Sequence, residues 1–225
     1  MNSFKFLGWQ RLWLGLAVAF LSFVQIVITW PDYLLVYQYY FSPILVTFGG
    51  MLSLVILYGV NGFKSLLKPM IKGSIKRVIF GFLLANLIVF IFAGICMLFH
   101  ISGAEHSFYR QSPTKTEQLI FIVTSLIQIP GEELIMATFT LPMIEYIHNK
   151  GISTKSAWIW ANLIGCFIFM LMHLPAYDYN LASVIMVGLG RYPFTSLWHQ
   201  TQSLRGGIYV HLLFDLIRTV PRIFL

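Results

Sequence analysis

The chain has 225 residues, of which 58% are hydrophobic and only 10% charged, where soluble domains carry roughly 25% charged residues. It therefore reads as an all-α, polytopic transmembrane helix bundle of about seven spans. The net charge of +7 fits basic loops held at a cytoplasmic face; no basic, aromatic-studded domain lies outside the apolar runs, which excludes nucleic acid as a partner.

The first predicted span is roughly Leu12–Trp30, with Trp9, Trp13 and Trp30 as interfacial anchors. Its apolar run is too long for a signal peptide and has no small-residue cleavage site. The connection Pro31–Ser42 carries Asp32 and no Lys or Arg, and span 2 follows at roughly Pro43–Val60. Lys64, Lys68, Lys72 and Lys76 then recur every four residues, one position after Phe63, Leu67, Ile71 and Ile75. That pattern fits either an amphipathic helix on an anionic leaflet or a solvated basic loop, and Pro69 argues against one unbroken helix. Span 3 is expected over Val78–Phe99, followed by a polar loop, His100–Thr116. The central helix is expected from Glu117 to about His148, bent or tilted at Pro130-Gly131. Span 5 is Ala157–Leu174; span 6 starts near Leu181 and is expected to be interrupted at Gly188, Gly190 and Pro193, with Arg191 needing a partner; span 7 is Gly207–Val220. Cys96 and Cys166 fall inside spans and read as small buried apolar residues. Lys and Arg in the connections favour a cytoplasmic N-terminus: Lys5, Arg11, Lys64 to Arg77, Lys150, Lys155 and Arg205 group on one side, against Arg110, Lys115, Arg218 and Arg222 on the other.

Ionisable residues inside spans mark functional sites. Glu132 and Glu133 are adjacent within the apolar run Leu119–Ile147, and each disfavours ionisation of the other unless donors hold them. Two later spans carry Phe169-Met-Leu-Met-His173 and His211-Leu-Leu-Phe-Asp215. Residues i and i+4 share a helix face, so Asp215 can fix the tautomer of His211, and Phe169 can wall one side of His173. By chemistry alone the set supports two machines. In one, a carboxylate activates water, one His assists, and another steadies the oxyanion. In the other, His and Glu ligate a metal that acidifies water. The metal-free arrangement fits better, because the helical zinc signature with two His on one helix is absent. A proton-coupled transporter would use similar residues, but no matching interrupted halves support it. Counted at ~1.5 Å per residue, Glu132 falls near mid-membrane, His173 towards the outer end of its span and His211 towards the inner end. Convergence therefore needs tilted spans or a dip at Gln200–Gly206.

These three motifs resemble those of the CPBP family, also called Abi or CAAX-protease-and-bacteriocin-processing proteins. Its motifs are Glu-Glu-x-x-x-Arg, Phe-x-x-x-His and His-x-x-x-Asn or Asp on successive core helices. The stretch from Gly188-Leu-Gly190 through Thr201-Gln-Ser203-Leu204 to His211 is also similar to the family's connection before its third motif. The resemblance implies a two-part chain, with N-terminal helices and their basic loop over 1–116 and a CPBP-like catalytic core over 117–225. It implies an intramembrane glutamic endopeptidase without metal or cofactor. Glu132 is then the base that activates water, His173 assists, Glu133 is the supporting carboxylate, and His211 and Asp215 stabilise the oxyanion. The substrate would be a membrane-associated peptide or protein in a multi-pass protein of a bacterial cell membrane, in bacteriocin maturation or self-immunity rather than CAAX processing. One departure stands out: Ala137 occupies the place of the motif Arg, so either Arg191 or a protonated Glu133 compensates, or the fold is a non-catalytic adaptor for a partner such as a sensor kinase.

Overall fold

The computed structural model describes residues 6–27, 35–110 and 113–223; Lys5, Trp30 and Asp32 lie outside them. Within these the regular elements are all helical: α1 Trp9–Val27, α2 Leu35–Leu66, α3 Ser74–Leu98, α4 Ser107–Arg110, α5 Lys115–Asn149, α6 Thr154–Met172, α7 Leu181–Thr201 and α8 Arg205–Thr219, with short 3-10 turns at Pro175–Tyr177 and Val220–Ile223. Four helices are long and apolar enough to cross a membrane: α2 from Tyr40 onward, α3, α5 and α6. The expected count of seven is not reached on that measure. Helix α8, with 15 residues, is too short to be counted, and α7 carries Arg191 and His199, which lower its hydropathy.

Helix α5 is the axis, packed by α1, α2, α6 and α8, while α7 lies between α3, α6 and α8. It starts on a capping box, in which Thr114 accepts from the Glu117 amide and Glu117 accepts from the Thr114 amide. It then runs 35 residues, about 50 Å at 1.5 Å per residue, well beyond the ~30 Å of hydrocarbon. It stays continuous through Pro130. Beside that proline the Thr47 hydroxyl donates to the Ile127 carbonyl at 2.5 Å. Gly131 admits α2 at this crossing, because a Cβ there would stand 2.6 Å from the Thr47 backbone. One turn beyond the glutamates, Ser53 and Thr138 share a hydroxyl bond of 2.7 Å. Helix α2 thus grips α5 on both sides of Glu132-Glu133.

Of the two arrangements open for the lysine repeat, the single amphipathic helix is not formed, in line with Pro69: Lys64 lies in the last turn of α2, residues 67–73 turn at Pro69, and Lys76 lies in the first turn of α3, all four lysines being exposed. One expectation is corrected: helix α7 is not interrupted at its glycines or at Pro193. The glycines serve close packing: a Cβ at Gly188 would meet the Cys166 carbonyl at 3.0 Å, and one at Gly190 would meet the Phe214 ring at 3.1 Å.

The α7–α8 turn is tucked into the protein, with Thr201, Ser203 and Leu204 fully buried. It is tied to the basic turn by Ser203 Oγ donating to the Lys68 carbonyl at 2.6 Å, Ile71 N to Thr201 O at 3.2 Å and Leu204 N to Leu66 O at 2.9 Å. The charge count assigns these two connections to the same side, and the fold puts them at one end.

Candidate active site

Glu133 is the hub of the polar interior. It is fully buried, and three donors from two other helices converge on it. Arg191 of α7 approaches Oε1 through Nη1 at 2.5 Å, His211 of α8 meets the same oxygen through Nδ1 at 2.9 Å, and the Trp198 indole of α7 donates to Oε2 at 3.0 Å. Arg191 and Trp198 are seven residues apart, about two helical turns, so one face of α7 presents both. Gly207 opens the slot for the indole: a Cβ there would lie 2.0 Å from Trp198 Nε1 and 2.7 Å from Glu133 Oε2.

Arg191 supplies the cation that Ala137 does not. Residue 137 is one turn beyond Glu133 on the same face of α5, and it is fully buried in the apolar cluster that also holds Trp198 and Phe169. The charge enters from the facing helix instead. The guanidinium packs over the Phe169 ring at 4.5 Å and the Trp198 ring at 5.8 Å, a geometry that favours a cation. Nε and Nη2 of Arg191 are buried without a hydrogen-bond partner among the described residues.

His211 is clamped between two carboxylates. Its Nδ1 faces Glu133, and its Nε2 faces Asp215 Oδ2 at 3.5 Å, the limit for a hydrogen bond. Both nitrogens are therefore best served by carrying hydrogens, and the Asp215 contact is the loose one. Its ring lies against Phe194, centroids 4.8 Å apart, and meets Phe169 edge-on at 5.8 Å. The Asp215 side chain is 41% exposed, so the site opens towards that residue.

Glu132 and His173 flank the hub without bonding to it. Glu132 is 6% exposed, and its Oε1 accepts from Gln128 Nε2 at 2.7 Å, one turn earlier on α5. It lies within electrostatic reach of His211, Asp215 and Arg191. His173 caps the C-terminus of α6, with Nδ1 2.9 Å from the Phe169 carbonyl. A carbonyl only accepts, so Nδ1 carries the hydrogen and Nε2 presents a lone pair. The Phe169 and His173 rings are 4.2 Å apart, which makes Phe169 the shared wall of both histidines and the arginine.

The five candidate residues thus come from α5, α8 and the C-cap of α6, and the two histidines among them stand against Phe169. Trp198, Gln128 and Gly207 were not expected. The first two carried a signal in the sequence, the seven-residue interval from Arg191 and the four-residue interval before Glu132; Gly207 carried none. Among the described residues no three His, Cys, Asp or Glu side chains are grouped to hold a metal ion.

Residues 114–217 match the family described as type II CAAX prenyl endopeptidase Rce1-like. No curated protein and no solved structure matches the chain. The matched segment runs from the cap of α5 almost to the end of α8 and includes every residue of the hub. Over these helices, just under half of the chain, the sequence is similar to the CPBP/CAAX family of membrane proteases.

Proposed function

We propose that this protein is an intramembrane endopeptidase that hydrolyses a membrane-associated peptide or protein with a water activated by Glu132. The observation that carries the reading is the pairing of one fully bonded, buried carboxylate, Glu133, with a neighbour, Glu132, that keeps an oxygen uncommitted. The first holds the framework, and the second is available for chemistry. Two adjacent carboxylates in different surroundings are a recurring way to separate such roles.

In this mechanism Gln128 orients Glu132, whose other oxygen takes a proton from water. The His173 lone pair at Nε2 holds the same water. The hydroxide oxygen bonds to the scissile carbonyl carbon, and the carbonyl π electrons move onto oxygen. The His211 Nε2–H, only loosely held by Asp215, donates to that oxyanion, and Glu133 keeps the ring oriented through Nδ1. Collapse breaks the C–N bond, and Glu132 returns its proton to the leaving amine. Arg191 neutralises Glu133 throughout, so that the site holds one reactive carboxylate rather than two competing ones. A peptide enters from the Asp215 side. The biological substrate in this reading is a bacterial peptide in maturation or self-immunity, processed in the cell membrane.

The test is cleavage of leader-peptide and lipidated substrates by purified protein in nanodiscs, for wild type and Glu132→Gln, with and without a chelator. Cleavage lost in the variant and indifferent to the chelator supports the mechanism. Loss with chelator moves the water activation to a metal. Wild-type behaviour in Glu132→Gln overturns the proposal and leaves the partner-binding role.

A further inference from the structure

A second recessed region lies away from the hub, between α3 and α7. It is an open groove of about 250 Å³, bordered by Phe80, Gly81 and Leu84 of α3 and by Tyr192, Pro193 and Ser196 of α7, with Arg77 and Gln200 at one end. Three observations bear on its occupant. First, the groove faces outward on the most exposed long helix: Phe80 is 64% exposed, and Ile79, Leu83 and Leu87 beside it are also open. An apolar face of this kind on a membrane helix meets lipid. Second, its charge is one-sided. The basic turn places Lys68, Lys72, Lys76 and Arg77 at the same end, all exposed, and there is no Asp or Glu in the sequence between Asp32 and Glu105 or between Asp178 and Asp215. Both walls are therefore free of acidic residues. Third, Arg77 is only partly engaged. It donates through Nη1 to the Gln200 carbonyl, and its remaining N–H groups carry no bond among the described residues. A guanidinium has five such donors in a fork suited to phosphate.

We propose that this groove binds one anionic phospholipid, with its phosphate on Arg77 and the upper part of an acyl chain lying along α3 from Phe80 to Leu84. The distance from Arg77 to Leu84 along the helix, ~10 Å at 1.5 Å per residue, suits the first segment of a chain leaving its headgroup. The ligand class follows from the join of a cationic end with an apolar trough: phosphate alone leaves the trough empty, and a neutral lipid leaves the arginine unpaired. The bound lipid also bridges α3 and α7. Neither the groove residues nor the lipid takes part in hydrolysis.

The experiment is native mass spectrometry of the purified full chain after equilibration with mixed micelles containing either palmitoyl-oleoyl phosphatidylglycerol or the corresponding phosphatidylcholine. The wild type is expected to retain one phosphatidylglycerol in preference to phosphatidylcholine. Arg77→Ala is expected to lower that retention about fivefold, the worth of one basic side chain at an anionic surface, and to lower phosphatidylcholine retention by less, because the choline cation already offsets that lipid's phosphate. Leu84→Trp, which fills the trough without touching the charge, is expected to remove retention of both. Thermal midpoints in phosphatidylcholine micelles check that both variants are folded, and Arg77→Lys, expected to keep most of the preference, serves if Arg77→Ala is not. Equal retention of the two lipids by wild type, an unchanged preference in Arg77→Ala, or full retention in Leu84→Trp overturns the proposal. So does stabilisation by inorganic phosphate equal to that by phosphatidylglycerol, which would show an anion site without a lipid.

Discussion

The position of the arginine can be tested by moving it. Arg191 and Glu133 are both fully buried and 2.5 Å apart, so Arg191→Ala leaves a carboxylate in the interior without its cation. Breaking a buried pair by removing one partner costs about 3–5 kcal/mol. For a chain of this size that corresponds to a midpoint lower by roughly 10 °C, at about 2–4 °C per kcal/mol. Residue 137 lies one turn from Glu133 on the same face, so an arginine introduced there reaches the same carboxylate. In the wild-type background Ala137→Arg crowds a packed cluster and places a second cation beside Arg191, and it should destabilise. With Arg191→Ala, the vacated space and the unpaired carboxylate receive the new side chain, and the same substitution should stabilise. The assay is thermal unfolding in detergent of the four proteins of this cycle, with peptide cleavage measured in parallel. The sign change is what a charge relocated between helices requires. A midpoint unchanged by Arg191→Ala would refute the reasoning. Equal damage from Ala137→Arg in both backgrounds would refute it as well.

Glu132→Gln should reduce cleavage by about 10²–10⁴, the usual contribution of a positioned general base, while the thermal midpoint holds or rises, because a buried carboxylate without an ion-pair partner is removed. Gly207→Ala should displace the Trp198 indole from Glu133 and lower stability by about 1–3 kcal/mol, as overpacking does; the effect should shrink in a Trp198→Phe background, which denaturation of the two single variants and the double variant would show. Gly131→Ala meets backbone rather than a movable side chain at Thr47, so about the same loss is expected there. It should come with reduced cleavage, since α2 holds the stretch of α5 that carries both glutamates.

Much of this site was legible because membrane burial makes polar residues conspicuous. Glu132-Glu133, His173, His211 and Asp215 stand out in apolar runs, and the i, i+4 spacing already placed Asp215 beside His211, as found at 3.5 Å. The helix boundaries followed from the same contrast: α5 was expected from Glu117 to about His148 and runs Lys115–Asn149. What was not legible depends on contacts between helices. The glycines and proline of α7 look like breakers in one dimension, whereas Gly188 and Gly190 are packing sites for Cys166 and Phe214. The lysine repeat has helical spacing, but Pro69 and the tie from Ser203 to Lys68 turn the chain there. The approach of His173 and His211 to one ring, Phe169, rests on packing between helices that no local pattern specifies.

Arg191 joins these two kinds of information. As a sequence feature it was a charge in a span without a partner; as a structural feature it completes a motif whose own arginine position holds alanine. The electrostatic requirement concerns the carboxylate, not the helix that satisfies it. A fully buried Glu133 needs a cation and hydrogen-bond donors, and α7 supplies both through Arg191 and Trp198. Relocation also changes what the cation holds together. An arginine at 137 would bond within α5, whereas Arg191 ties α7 to α5 and stacks on Phe169 of α6. Arg191 thereby couples α7 to α5 through the ion pair and to α6 through the ring stack, two of the three helices that carry the proposed catalytic residues. Arg191 thus gives Glu133 the cation that position 137 does not, and alanine at 137 does not by itself argue for a lost activity.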